Sequence, residues 1–193
     1  MSYILLFYLA FFTLAMVLPT LRVYRRTGIN PLVLPSDDSV EGFVGLWFKL
    51  LIAALGTYLL ALTLGWLALI GPISLGLEQV RIALGWGLLL ASLAWVVLAQ
   101  WQMGNSWRIG IDAAHRTELV ASGLFRWSRN PIFLGMIAQL LGLFLLQPDA
   151  ITLLTLICGF VLVSVQIRLE ELHLAGLHGE SYRAFAAKVR RWI

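Results

Sequence analysis

Charged residues are scarce in this sequence, since Asp, Glu, Lys and Arg together make up 12% of its 193 residues while hydrophobic residues make up 60%. A soluble domain carries roughly twice that fraction of charge. With a mean hydropathy of +0.87, the chain has too little polar surface to cover a globule in water. The composition therefore predicts an integral membrane protein.

Cysteine is almost absent, and the single one, Cys158, lies within an apolar run. It cannot form an intramolecular disulfide, so it is interpreted as a small packing residue. The histidines lack the spacing of a metal site, and neither a G-x-S-x-G motif nor a glycine-rich phosphate loop is present. These absences argue against metal, hydrolase and phosphoryl-transfer chemistry.

Five apolar runs are long enough, or nearly so, to cross a hydrocarbon core about 30 Å thick as helices. They are Tyr3–Leu18, Val44–Ile70, Val80–Trp101, Pro131–Leu146 and Ala150–Ile167. Nothing before or after the first run resembles a signal peptide, so it is interpreted as a retained helix. We therefore expect an all-α integral membrane bundle with five transmembrane helices.

The last two runs are joined only by Gln147-Pro148-Asp149, which predicts a tight helix hairpin. Small side chains along both runs would let the two backbones approach closely. These residues are Gly135, Ala138, Gly142 and Gly159.

Basic residues occur in alternate connections. Thirteen of the fourteen fall after the first, third or fifth helix, or, as Lys49, at the entrance of the second, and Arg81 is the exception. The positive-inside rule places these segments in the cytoplasm and the N-terminus outside. We expect a multi-pass protein of the bacterial inner membrane. Because the charges stand beside apolar runs and not along one polar face, no nucleic-acid partner is expected.

The C-terminal tail has a pattern of its own. Gly179 interrupts the helix, and from Ser181 onward apolar residues recur every three or four positions, with basic residues between them. This spacing predicts an interfacial amphipathic helix. The apolar residues are Tyr182, Phe185, Val189 and Trp192.

The stretch LVASGLFRWSRNPIFLG, residues 119–135, lies between two apolar segments and carries Arg126 and Arg129. It ends in Asn130-Pro131, where Asn suits the N-cap and Pro the first helical position. The fourth helix is therefore expected to begin at Pro131. The free N–H groups of such a helix start attract anions.

A second polar stretch, Arg168-Leu169-Glu170-Glu171, ends the fifth helix. Counting back from the hairpin turn places Asn130 beside residues 168–170. An ionisable cluster at a membrane boundary indicates a functional site. The alternative is structural, with the two glutamates pairing with Arg126 and Arg129 to hold the hairpin together.

The order of these motifs resembles the isoprenylcysteine carboxyl methyltransferase family and its relatives among membrane phospholipid methyltransferases. E-L-V-A-S-G-L-F-R-W-S-R-N-P-I-F-L-G is followed by R-L-E-E-L, H-G-E-S-Y and R-R-W, and the similarity runs from Trp107 to the C-terminus. Residues 129–133 match the family's Arg-Asn-Pro-x-Tyr with Phe in place of Tyr. Glu170, Glu171, Gly179 and Tyr182 match its paired glutamates and following Gly-x-x-Tyr.

By this resemblance the cofactor is S-adenosylmethionine, and the chain is one transmembrane domain, 1–193, with a three-helix membrane part at 1–106 and a cofactor-binding methyltransferase-like part at 107–193. The residues it assigns to the cofactor are Glu118, Leu119, Val120, Phe125, Asn130, Pro131, Phe133 and Glu170. Arg129 and Glu171 are assigned to catalysis, with Glu171 as the candidate base for an amine acceptor. Arg126 and Gln166 are assigned to the substrate.

One departure from the family bears on the acceptor. Prenylcysteine enzymes have an arginine one turn before the first glutamate, implicated in the substrate, and this chain has Gln166 there. A neutral amide cannot form the bidentate ionic pairing of a guanidinium. We therefore expect a lipophilic small molecule or lipid other than a prenylcysteine, entering from the membrane.

Two other functions stay open. Sterol reductases, which use a nicotinamide cofactor, carry a related C-terminal region, although they are longer and have additional helices. A non-enzymatic membrane protein could also keep the hairpin for assembly or small-molecule uptake.

Overall fold

The computed structural model describes residues 2–35, 37–112 and 114–193. Over these ranges the regular structure is helical, without strands. The α-helices are α1 (Ser2–Phe12), α2 (Leu18–Thr27), α3 (Val40–Thr63), α4 (Glu78–Met103), α5 (Pro131–Leu146), α6 (Ala150–His178) and α7 (Glu180–Lys188).

Four helical segments are long and apolar enough to cross a membrane: Ser2–Thr27, Val40–Thr63, Glu78–Ser106 and Ala150–His178. The fifth, α5, is a shorter apolar helix of 16 residues, about 24 Å long. Each of the five predicted helices corresponds to one of these segments. The prediction of an all-helical membrane bundle is confirmed, and the chain is a membrane protein.

The first helix extends well beyond the predicted Tyr3–Leu18, because a π-helical turn at Thr13–Val17 joins α1 to α2. Pro19 has no N–H to give to the carbonyl of Ala15 four residues earlier, and the wider turn lets the helix continue past it. Gln100 Nε2 of α4 donates to that carbonyl over 2.6 Å. The helix finally ends at Gly28, whose φ is 70°.

The bounds of the next two helices also differ from the prediction. Ser39 caps α3 by accepting the N–H of Gly42 at 3.0 Å, so α3 begins at Val40 and not at Val44. It ends at Thr63, short of the predicted Ile70, because Gly65 takes a φ of 72°. Lys49 therefore lies within α3 and not at its entrance. α4 extends two residues beyond the predicted Val80–Trp101 at each end.

The last predicted helix is longer than expected and the tail helix is shorter. α6 begins at Ala150, as predicted, and continues past Ile167 to His178. Gly179, with a φ of 55°, separates it from α7. α7 ends at Lys188 and Val189 is extended, so Val189 and Trp192, which were predicted in the helix, lie beyond it. Trp192 instead stacks on Phe160 of α6, with ring centroids 6.2 Å apart, and the intervening Arg190 and Arg191 contact the segment before α5.

The connections gather at two opposite ends of the bundle. At one end the Val33 N–H donates to Ile109 over 2.8 Å, joining the segments after α2 and α4. α5 begins and α6 ends there, and this end, called the basic end, carries all basic residues except Lys49 and Arg81. At the other, the turn end, the Ile73 N–H donates to Pro148 over 2.8 Å.

Small residues let α5 pack closely between α4 and α6. A Cβ added to Gly135 would lie 2.5 Å from Val96 Cγ2, and one on Gly142 would lie 3.0 Å from the Gly85 carbonyl oxygen. Both glycines therefore face α4, whereas they were predicted to face the other arm of the hairpin. A Cβ added to Gly159 of α6 would lie 2.4 Å from Leu140 Cδ1 of α5, so this glycine does face the other arm of the hairpin.

Candidate functional site

The start of α5 and the end of α6 meet at the basic end. Asn130 Nδ2 donates to Glu171 Oε1 over 3.4 Å, and Arg129 Nη2 lies 3.0 Å from the same oxygen. The antiparallel hairpin thus joins residues forty positions apart, as the count from the turn predicted. The contact is made by Glu171, one residue beyond the predicted range 168–170.

Glu171 is held by two guanidinium groups. Arg129 contacts Oε1, and Arg191 from the C-terminal tail lies 2.7 Å from Oε2 through Nη2 and 3.2 Å from Oε1 through Nε. The side chains of Glu171 and Arg129 are 13% and 14% exposed, whereas that of Arg191 is 37% exposed, so the Arg129 pair is shielded from solvent and the Arg191 pair is partly open to it. We call Arg129, Asn130, Glu171 and Arg191 the Glu171 cluster.

Arg126 does not join this cluster. It ends the short 3-10 turn Gly123–Arg126 and is exposed. The structural alternative, in which Arg126 and Arg129 pair with the two glutamates, therefore holds only for Arg129 and Glu171. The second arginine that pairs with Glu171 is Arg191.

Glu170 has a different environment. Gln166 Nε2, one turn earlier on α6, donates to Glu170 Oε1 over 2.9 Å. Gln166 is buried and Glu170 is partly buried. Within the ranges that the structure describes, no salt bridge involves Glu170. The two adjacent glutamates of α6 therefore have different partners. Glu171 is neutralised by arginines, and Glu170 is bonded to a neutral amide.

The C-terminal tail closes over the segment before α5. The Arg129 N–H donates to the Arg190 carbonyl over 3.0 Å, and the Asn130 amide donates to the Arg191 carbonyl over 3.2 Å. Ser128, which is fully buried, accepts the Asn130 N–H at 3.1 Å. These contacts fix residues 128–130 against the tail.

Tyr182 of α7 is buried next to the same cluster. Burial raises the pKa of Tyr182 to about 12, and the negative charge of Glu171 acts in the same direction. Arg191, Ser128 and Tyr182 were not among the predicted site residues. The quoted motifs H-G-E-S-Y and R-R-W contain the tyrosine and the arginine and were the available signal for them.

The first turn of α5 lacks a side-chain cap. Asn130 occupies the N-cap position, but its side chain makes no capping hydrogen bond because its amide donates to Glu171 and the tail. Pro131 is the first helical residue, and its carbonyl accepts from Trp95 Nε1 of α4 at 2.9 Å. The N–H groups that follow Pro131 are therefore free of this cap and suited to an anionic acceptor.

The other predicted cofactor residues, Glu118 to Val120, precede this region in the chain, and none of the described hydrogen bonds joins their side chains to it. Glu118 is exposed, and Leu119 and Val120 are partly buried in an irregular segment. Arg116 Nη2 donates to the Leu177 carbonyl over 3.2 Å, which ties the beginning of this segment to the end of α6. Among the described residues no hydrogen bond joins Glu118 to either glutamate.

Two aromatic side chains flank the helix start. Phe125 is buried in its 3-10 turn, which is anchored where the Leu124 N–H donates to Gln102 Oε1 over 2.8 Å. Phe133 is partly buried in the first turn of α5. In the part of the chain that the structure describes, no group of three or more His, Cys, Asp or Glu residues has the arrangement of a metal site.

The chain matches the family model of phospholipid methyltransferases over residues 80–181. The chain belongs to the phospholipid methyltransferase family. The isoprenylcysteine carboxyl methyltransferases belong to the same family, so the resemblance seen in the sequence is confirmed. No curated protein and no solved structure matches the chain.

Family membership makes the protein a membrane methyltransferase. The matched range includes most of α4, all of α5 and α6, and every predicted site residue from Glu118 to Glu171. It ends before Tyr182 and Arg191. The tail contacts of the Glu171 cluster are therefore known from the structure of this chain alone.

Proposed function

We propose that this protein transfers a methyl group from S-adenosylmethionine to a lipophilic acceptor at the basic end of the bundle. The observation that carries the proposal is the division between the two glutamates. Glu171 is neutralised by Arg129 and Arg191, while Glu170, bonded only to a neutral amide, is left with capacity for a ligand. The family is generally dependent on S-adenosylmethionine.

The residues at this end fit the polar groups of that cofactor. A carboxylate at Glu170 suits an ammonium group or ribose hydroxyls, and the uncapped start of α5 suits a carboxylate. Arg129 Nε is buried without a described partner, which is costly unless a ligand or water satisfies it. Phe125 and Phe133 offer aromatic faces for the adenine or the sulfonium. We assign Glu118, Leu119 and Val120 to the outer edge of the same site.

When bound, S-adenosylmethionine supplies an electrophilic methyl group for in-line displacement. The protein contributes mainly by holding the two reactants in position, which accounts for much of the acceleration of such a reaction. In this proposal Glu171 fixes Arg129 and the tail around the site. A carboxylate acceptor needs no base, whereas for an amine acceptor Glu171 is the candidate base and leaves one of its ion pairs to act.

A cavity beside the hairpin supports a lipophilic acceptor. It measures about 90 Å³ and lies among α1, α3, α5 and α6, with Tyr8, Met136, Gln139 and Val163 in its wall. Gln139 Oε1 is buried without a described partner. Gln139 is nine residues beyond Asn130 on α5, so the cavity lies deeper in the bundle than the Glu171 cluster. A short apolar segment of an acceptor, with a hydrogen-bond donor for Gln139 Oε1, suits this space.

The acceptor is proposed not to be a prenylcysteine carboxylate. Gln166 donates to Glu170 and has no positive charge for a second carboxylate. The test is a methyl-transfer assay with N-acetyl-farnesylcysteine beside lipid amines, phenols and fatty acids. Turnover of the prenylcysteine alone, undiminished in Gln166→Ala, would contradict this assignment.

The orientation is also proposed, with the basic end in the cytoplasm and the N-terminus outside, following the positive-inside rule. Reporter fusions after Thr27, Gly71 and Ile193 test it. Cytoplasmic signals are expected from the first and last fusions only. A cytoplasmic signal from Gly71 alone would reverse the orientation and the proposed side of cofactor entry.

The direct test of the function uses purified protein in lipid nanodiscs. Radiolabelled S-adenosylmethionine is expected to transfer label to an extracted lipid fraction, and S-adenosylhomocysteine is expected to inhibit this and raise the melting temperature. Stabilisation by NADPH without stabilisation by S-adenosylhomocysteine would instead favour the reductase. The Glu180→Gln variant, which alters an exposed carboxylate at the same end, is the control for Glu170→Gln.

A further inference from the structure

A groove of about 750 Å³ lies between the first helical segment and α4, near the basic end. Its wall is apolar and includes Leu14, Leu18, Ala94 and Leu98. Leu18 is 48% and Leu98 43% exposed, so these side chains form an open surface and not a closed core. Inside a membrane such a surface faces lipid.

Three arginines lie at the rim of this groove. Arg22, Arg25 and Arg26 of α2 belong to its lining, with Trp101 of α4 opposite them. Its described lining contains no acidic residue. In the described part of the chain, none of the three arginines forms a salt bridge. The rim is therefore strongly positive above an apolar wall.

The groove is separate from the Glu171 cluster. α5 packs on the face of α4 that carries Trp95 and Val96, since both lie near Gly135. At about 100° per residue, the groove residues Ala94, Val97 and Trp101 lie on the other side of α4 from the middle of that face. A ligand in the groove is thus divided from the proposed methyl-transfer site by the full width of a helix.

We propose that this groove binds one anionic phospholipid, with its phosphate against Arg22, Arg25 and Arg26 and an acyl chain along Leu18, Leu14 and Leu98. Basic pockets between transmembrane helices attract anionic lipid headgroups, and tryptophan favours the same interfacial depth. A role in setting membrane orientation would explain the three arginines, but it would not explain the apolar groove that continues beneath them. A free phosphate lacks the chain that the groove accommodates. The proposal does not depend on the methyltransferase activity.

The experiment is native mass spectrometry of the detergent-purified protein with phosphatidylglycerol or phosphatidylcholine of identical chains. Phosphatidylglycerol is expected to be retained selectively and to raise the melting temperature, whereas inorganic phosphate is not. The double variant Arg25→Gln/Arg26→Gln is expected to bind phosphatidylglycerol at least about tenfold more weakly, given the attraction per basic residue near an anionic surface. The matched control Arg183→Gln/Lys188→Gln removes the same charge from exposed positions of α7 and is expected to keep the affinity.

A second variant tests the apolar wall of the groove independently of the arginines. Ala94→Trp fills the wall without altering the arginines, and it is expected to reduce retention of phosphatidylglycerol at an unchanged melting temperature of the lipid-free protein. Equal retention of the two lipids by the wild type, or equal loss in the two double variants, would overturn the proposal. An equal thermal shift with inorganic phosphate would show an anion site and not a lipid site.

Discussion

The α5–α6 hairpin holds a polar cluster at each end, and the two clusters differ in how completely their atoms are paired. At the turn end the fully buried Asp149 accepts the Thr152 N–H at 2.8 Å and the Tyr58 hydroxyl at 2.6 Å. Arg81, the one basic residue at that end, donates to the carbonyls of Leu145 and Leu146 at the end of α5. These bonds satisfy helix ends and both carboxylate oxygens of Asp149.

At the basic end the pairing is incomplete. Glu171 is saturated by Arg129 and Arg191, but among the described residues Glu170 bonds to Gln166 alone and Arg129 Nε has no partner. Polar groups shielded from water destabilise a fold unless they are paired. This difference fits the proposal that the basic end binds a ligand, whereas the bonds at the turn end stabilise the hairpin.

The largest expected effect is at the turn end. Asp149→Ala removes a helix N-cap and the charged acceptor of Tyr58, so it is expected to lower the free energy of unfolding by about 3 kcal/mol. Denaturant unfolding in detergent micelles measures this. Asp38→Ala, at an exposed position of the loop before α3, is the control, with a change within about 0.5 kcal/mol. Equal stability of the two variants would contradict the structural role of Asp149.

The next effect is at Glu171. Glu171→Gln leaves the shielded guanidinium of Arg129 and the partly exposed one of Arg191 without their anion, and it is expected to cost about 2 kcal/mol of stability, less than for fully buried pairs. It is also expected to release the tail to limited proteolysis. Glu180→Gln breaks the Arg183 pair, in which Glu180 is 86% exposed, and is expected to cost less than about 0.5 kcal/mol. If both variants lost the same stability, the Glu171 cluster would have no special structural weight.

The smallest effect is expected for Arg126. Because Arg126 is exposed and outside the Glu171 cluster, Arg126→Ala is expected to leave stability within about 0.5 kcal/mol. In the transfer assay it is expected to raise KM for the acceptor about fivefold, equivalent to roughly 1 kcal/mol, with kcat unchanged. A fall in S-adenosylhomocysteine affinity would instead place Arg126 on the cofactor.

The helices were predictable where local signals mark their ends. α5 has the predicted bounds, because Asn130-Pro131 starts it and the Gln147-Pro148-Asp149 turn ends it. The end of α3 was predicted seven residues too far along the chain, because the apolar run continues past Gly65, where the backbone turns at positive φ. Hydropathy alone does not register such a break.

The site was predictable in part for the same reason. A short turn between two regular helices fixes their register, so the meeting of Asn130 with the glutamates followed from counting. Neighbouring residues on a helix point in directions about 100° apart. Counting residues along the helix axis does not show which of the two glutamates faces Arg129. Arg191 arrives through an extended segment after α7, and that path depends on tertiary contacts that no local pattern encodes.

The central claim, that Glu170 binds the cofactor while Glu171 holds the structure, is tested most directly by calorimetry. S-adenosylhomocysteine is titrated into the wild type, Glu170→Gln and Glu180→Gln, and the unfolding stability of each is measured. Loss of a charge-assisted hydrogen bond is expected to weaken binding about ten- to a hundredfold in Glu170→Gln at unchanged stability, with Glu180→Gln like the wild type. Equal affinity in all three proteins would contradict the account.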